Sequence, residues 1–123
     1  MGSHPLNLAL RFLLEIAAYL AMAYWGWTQN TGIMRVVWTI GLPFFWMILW
    51  AIFAVPNDPS RSGKAPVPVP GFARLVLEAA YFASATWAIN ASGFNLGAII
   101  FAVVVVTHYL LSYDRIRWLL RQK

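Results

Sequence analysis

Apolar residues fill this chain in four long blocks, broken by two short polar turns and one proline-rich interval. A helix that crosses a hydrocarbon layer of about 30 Å needs about 20 residues. The blocks at residues 6–27, 33–55, 72–91 and 94–111 have that order of length. The pattern therefore predicts four transmembrane helices. Thr28-Gln29-Asn30-Thr31-Gly32 joins the first two, and Asn90-Ala91-Ser92-Gly93 joins the last two. Turns this short make each pair an antiparallel hairpin. The expected fold is all-α: an integral membrane four-helix bundle built from two repeated hairpins, forming one domain over residues 1–123.

Between the hairpins, residues 56–71 carry five prolines, which exclude a helix and favour an extended, solvated cytoplasmic linker. Residues 112–123 form a basic, amphipathic tail expected to lie against anionic lipid. Pro43 is expected to kink the second helix. Met1-Gly2-Ser3-His4 reads as a tag remnant as much as a native start, and no cleavable signal peptide is expected.

Composition reinforces the membrane reading. Hydrophobic residues make up 61% of the 123 and charged residues 11%, too few to cover a soluble domain of this size. The net charge of +5 does not point to nucleic acid, because the basic residues sit at the ends of apolar blocks. Of nine Lys and Arg, the hairpin turns carry only Arg35. The other eight are Arg11, Arg61, Lys64, Arg74, Arg115, Arg117, Arg121 and Lys123. That asymmetry predicts both termini and the long loop on the cytoplasmic side. Tyr24, Trp25, Trp27 and Trp38 then form an outer aromatic belt, and Trp50, Tyr113 and Trp118 an inner one. Without cysteine there is neither a disulfide nor a thiolate metal site.

Two copies of one motif stand 63 residues apart: Arg11-Phe12-Leu13-Leu14-Glu15 and Arg74-Leu75-Val76-Leu77-Glu78. Each opens a hairpin on the same side, as a duplicated two-helix unit would. Arginine and glutamate four apart share a helix face. At 1.5 Å per residue Glu15 lies about 13 Å and Glu78 about 9 Å inside their blocks. An ionised carboxylate there costs roughly 2.5–3.5 kcal/mol, so both must be paired, protonated or facing water. Small residues beside them, Ala17, Ala21, Ala80, Ser84 and Ala88, allow the first and third helices to pack closely. His108 falls at similar depth on the fourth helix, and Thr107, Ser112, Tyr19 and Tyr81 are within range of the same cluster.

Two functions fit. Arg11, Glu15, Arg74, Glu78 and His108 form a site for a small solute, ion, lipid or proton, with His108 titrating near neutral pH. Alternatively, Arg11 pairs with Glu78 and Arg74 with Glu15, and the charges only clamp the hairpins together. No catalytic constellation, phosphate loop, metal set or cofactor signature occurs, so enzymatic activity is not expected. The partners expected are membrane lipids and a second copy of the chain; nucleic acid is not.

The run Leu6-Asn7-Leu8-Ala9-Leu10-Arg11-Phe12-Leu13-Leu14-Glu15 resembles the YrdB family of small bacterial membrane proteins. So do Ala51-Ile52-Phe53-Ala54-Val55-Pro56, Arg74-Leu75-Val76-Leu77-Glu78 and Ala98-Ile99-Ile100-Phe101-Ala102. The similarity spans nearly the whole chain; residues 57–64 depart from it as extra length in the middle loop. The resemblance implies four helices in a bacterial cytoplasmic membrane, and no function. Small multidrug transporters share the length and a glutamate in the first helix. The second arginine-paired glutamate and the single-orientation charge bias set this chain apart from their antiparallel dimers.

Overall fold

A computed structural model describes residues 5–56 and 66–122. Residues 57–65, the four N-terminal residues and Lys123 lie outside the described residues, and with them Pro59 and the loop positions Arg61 and Lys64. The elements are α1 Pro5–Thr28, α2 Gly32–Ile52, β1 Phe53–Ala54, β2 Val67–Pro68, α3 Gly71–Ala91, α4 Asn95–Leu111 and α5 Tyr113–Arg121. The four long helices follow the four apolar blocks to within three residues at each end.

Helix α1 packs on α2 and on α3, and α3 packs on α4. On α1 the inward face is Asn7, Arg11, Leu14, Ala18, Met22 and Gly26, a stripe of three- and four-residue steps. Against it α3 sets Arg74, Glu78, Tyr81, Phe82, Ala85 and Ala88. Leu14, Ala18, Met22, Tyr81, Phe82, Ala85, Ala88, Phe101 and Val105 make one apolar core. Gly26 permits the closest approach of α1 to α2, since a Cβ there would stand 2.7 Å from the Trp38 carbonyl carbon and the Thr39 nitrogen.

The hairpin turns are closed by specific groups. Gln29 N–H donates to Trp25 O, and the Asn30 side chain to Gly26 O at 3.0 Å. Arg35 donates to Trp27 O at 2.8 Å and lies over the Trp27 ring, a cation at a helix C-terminus. Gly32 and Gly93 reverse the chain with φ of 63° and 95°, where a side chain is strained.

Two features depart from the expected picture. The linker is not free at its ends: β1 pairs in parallel with β2, and Val69 N–H donates to Ala54 O at 3.0 Å. Ala54 and Val55 are buried at this tie. The tail is a helix that turns back: α5 leaves α4 at 68° and packs on α3. Gly71 N–H donates to Gln122 O at 2.9 Å, and a Cβ on Gly71 would fall on the Leu119 backbone. The tail expected against lipid is thus in part packed on protein: Arg115 and Leu119 are buried, while Arg117, Leu120 and Arg121 are exposed.

Among the described residues α1 and α2 are by length and composition able to cross a membrane, and a third span is reached only if α4 and α5, bent by 68°, are taken together as one. No residue of α2 is buried, and Ile40, Phe44 and Ile48 are about half exposed. Apolar surface this extensive calls for lipid rather than water. The chain has the make-up of a membrane protein.

Candidate functional site

The site forms where α1, α3 and α5 meet below the apolar core. Glu78 is completely buried at its centre. Its Oε2 receives Arg74 Nε at 2.9 Å, Arg11 Nη2 at 3.0 Å and Arg115 Nη2 at 2.8 Å. Its Oε1 receives Arg115 Nη1 at 2.9 Å and the Tyr109 hydroxyl at 2.7 Å. Arg115 therefore holds the carboxylate with a two-pronged fork, the strongest geometry available to that pair. One carboxylate binds three guanidiniums and a phenol, drawn from α1, α3, α4 and α5.

Arg74 is nearly as buried and satisfies the rest of its fork on α2. Its Nη1 donates to Trp50 O and Phe53 O, both at 2.7 Å. These carbonyls end α2, where partial negative charge collects, so the one guanidinium in excess of the two glutamates is balanced by a helix terminus. Arg74 also lies 4.4 Å over the Trp50 ring, and Arg11 5.4 Å over the same ring. Tyr81 stands 5.1 Å from both Trp50 and Phe82, and Phe82 stands 6.0 Å from Tyr109. This aromatic layer separates the charges from the apolar core above.

Glu15 is held differently. It pairs with Arg11 Nε at 3.2 Å and keeps about 20% of its side chain exposed. The expected exchange between hairpins is thus half made: Arg11 reaches Glu78, but Arg74 pairs with Glu78 on its own helix rather than with Glu15. Burial explains the difference. Glu78 lies on the buried face of α3 and draws every cation within reach, whereas Glu15 sits at the edge of the buried stripe of α1. Each motif makes its i,i+4 pair, but the surroundings of the two copies are not alike.

His108 belongs to a neighbouring chain of bonds. Asn7 donates to Ser112 Oγ at 2.6 Å, and its amide oxygen lies 3.0 Å from His108 Nδ1. With the Asn7 nitrogen committed to Ser112, that oxygen accepts and His108 carries its proton on Nδ1. The buried Nε2 has no hydrogen-bond partner among the described residues. Ser112 thus joins this neighbouring chain of bonds and not the Arg/Glu cluster itself. Thr107 joins neither, since its hydroxyl turns back to Val103 O on an exposed face. Tyr81 reaches the backbone oxygen of Glu15, not its carboxylate, at 2.8 Å, and Tyr19 stacks on the Tyr81 ring at 5.2 Å.

Sequence reasoning brought Arg11, Glu15, Arg74 and Glu78 together but missed Arg115, Tyr109, Asn7 and the α2 carbonyls. For Arg115 a signal exists: Arg115 and Leu119 lie four apart on one face of a basic helix that follows a break at Ser112. No group of three His, Asp or Glu is placed to hold a metal among the described residues. Five cavities among these residues, of about 340–650 Å³ each, are lined by none of Arg11, Glu15, Arg74, Glu78 or His108.

Comparison with known proteins gives this geometry a family but no activity. A family model described as a protein of unknown function (DUF2568) matches residues 9–106, which include both Arg/Glu motifs and stop short of His108 and Arg115. The uncharacterized protein YrdB of Bacillus subtilis (strain 168) is 44% identical over 116 residues, 94% of each chain. No solved structure matches the chain. On a match that takes in most of both hairpins, the chain belongs to the YrdB family, the family of unknown function described by that model.

Proposed function

We propose that the chain is a non-enzymatic four-span protein of the cytoplasmic membrane in which the Arg/Glu cluster is a structural clamp. It locks the α1–α2 hairpin, the α3–α4 hairpin and the tail helix α5 into one body. The carrying observation is Glu78: it is fully buried and both of its oxygens are already taken by protein donors. A carboxylate in that state has no remaining acceptor capacity for a solute and no water path for exchange. Cations in low dielectric and a low-dielectric carboxylate stabilise each other only when every bond is made, and here they are.

In this reading α3 crosses the membrane as well, although Arg74 and Glu78 lower its hydropathy, because their charges face α1 and α5 instead of lipid. α4 supplies the fourth crossing, and the bend at Ser112 lays α5 along the cytoplasmic surface. Both termini and the long loop are cytoplasmic by the distribution of Lys and Arg. The chain has no cysteine, so single cysteines report topology cleanly. Cysteines introduced at Thr31 and Ser92 are expected to react with an impermeant maleimide in intact cells. One at Ser62 is expected to react only after permeabilisation, and the reverse pattern would overturn the orientation.

Glu15 gives one observation to the second reading, binding or transport of a small solute, ion or lipid at Arg11, Glu15, Arg74, Glu78 and His108. It alone of the cluster keeps substantial exposure, and among the described residues it carries a single ion pair. A thermal-shift screen of ionic, lipidic and quinone compounds on the wild type and Glu15→Gln separates the two. The clamp predicts no compound whose shift disappears in Glu15→Gln; one such compound would establish the site.

A further inference from the structure

Away from the charge cluster, the α3–α4 interface opens into a cavity of about 560 Å³ that reaches from Thr86 down to Ile116 of α5. The volume lies within the range of sites that hold small molecules and lipid chains. Small residues create it: Ala79 and Ala83 on α3 face Ala102 on α4, leaving a furrow where larger side chains would leave a ridge.

Its polar groups are spoken for. The Thr86 hydroxyl donates to Phe82 O at 2.8 Å, and the Tyr109 hydroxyl donates to Glu78 at 2.7 Å. A polar ligand would find nothing free to bond, so the furrow selects an apolar chain. In the membrane reading proposed above, on which this inference rests, the furrow opens sideways into hydrocarbon. At its cytoplasmic end stands α5, whose Ile116 lines the cavity and whose Arg117 and Arg121 are exposed one and five residues further on. Arg115 is committed to Glu78, and Asp114 is the one acidic residue of α5. The exposed face of the helix is therefore left basic, at the level where lipid phosphates lie.

We propose that this furrow is a binding site for one anionic phospholipid, with an acyl chain between α3 and α4 and the headgroup phosphate on Arg117 and Arg121. Docking of α5 through Arg115 then has a second consequence, because it sets the floor of the lipid site.

The test uses the full chain in detergent, titrated with phosphatidylglycerol or with phosphatidylcholine of the same acyl chains. Phosphatidylglycerol is expected to raise the unfolding temperature by on the order of 5 °C near tenfold saturation, and phosphatidylcholine by clearly less. Ala83→Leu and Ala102→Leu fill the furrow from opposite walls, and each is expected to abolish that shift. Arg117→Gln with Arg121→Gln, on the exposed face, is expected to reduce the phosphatidylglycerol shift to the phosphatidylcholine level. Equal shifts with both lipids in the wild type would overturn the proposal, as would a full phosphatidylglycerol shift in a folded furrow variant. If neither furrow variant folds, the arginine variant decides: retained selectivity overturns the proposal. Alkaline carbonate extraction reports separately on the membrane reading. A chain that stays in the membrane pellet yet shows no lipid selectivity sinks the lipid site alone.

Discussion

Glu78→Ala is expected to lower the unfolding temperature in detergent by on the order of 10–25 °C, the largest effect of any single substitution in the chain. The change removes one carboxylate and leaves Arg11, Arg74 and Arg115 together in a buried site. Breaking a buried ion pair by deleting one partner costs about 3–5 kcal/mol, against a total of about 5–15 kcal/mol for a typical domain. Here three cations lose the Glu78 carboxylate at once; Arg74 retains Trp50 O and Phe53 O, and Arg11 retains its pair with Glu15. Glu78→Gln keeps the shape and one acceptor oxygen, so it should be less severe than alanine while still well below wild type. Glu15→Gln, at the exposed edge with one ion pair, should cost far less. Thermal unfolding followed by fluorescence-detected size exclusion checks all three. Equal effects at Glu15 and Glu78 would contradict the asymmetry of the two motifs.

The second large effect is expected at Arg115. Arg115→Ala removes a two-pronged bond to a buried carboxylate, at about 2–4 kcal/mol, and releases α5 from α3. Cleavage of the tail by a site-specific protease should accelerate at least tenfold, while Arg117→Ala, two residues on, should leave both stability and cleavage unchanged in detergent free of anionic lipid. Gly71→Ala should reproduce the release of the tail with the ion cluster intact, because its Cβ falls on the Leu119 backbone. A tail that lies on lipid by charge alone would respond equally to Arg115 and Arg117.

The contrast between those two arginines also shows where sequence reasoning reached its limit. The helices were legible because hydrocarbon imposes a length on apolar segments, and the echo of Arg11/Glu15 at Arg74/Glu78 was legible as spacing. The meeting of α1 and α3 followed from buried charge needing a partner. What spacing does not reveal is which of two equivalent glutamates is enclosed. That depends on the rotation of each helix about its axis, set by packing at Gly26, Ala18, Ala85 and Ala88. Arg115 looked like its exposed neighbours because its partner lies 37 residues back in the chain. Asn7 was read only as part of a motif, although it closes the bond chain to His108 and Ser112. The β1–β2 tie was hidden for a related reason: prolines suppress regular ladders, yet Pro68 stands in register with Ala54 while its neighbour Val69 supplies the N–H to Ala54 O.

The clamp stands or falls on the bond between hairpins, Arg11 to Glu78. A double-mutant cycle with Arg11→Met and Glu78→Gln, read as unfolding free energy in one detergent, measures that bond. The clamp predicts a coupling above about 1 kcal/mol, with the double variant little worse than Glu78→Gln alone. Additive losses would mean that the two residues act independently, and that the buried charges do not hold the hairpins together.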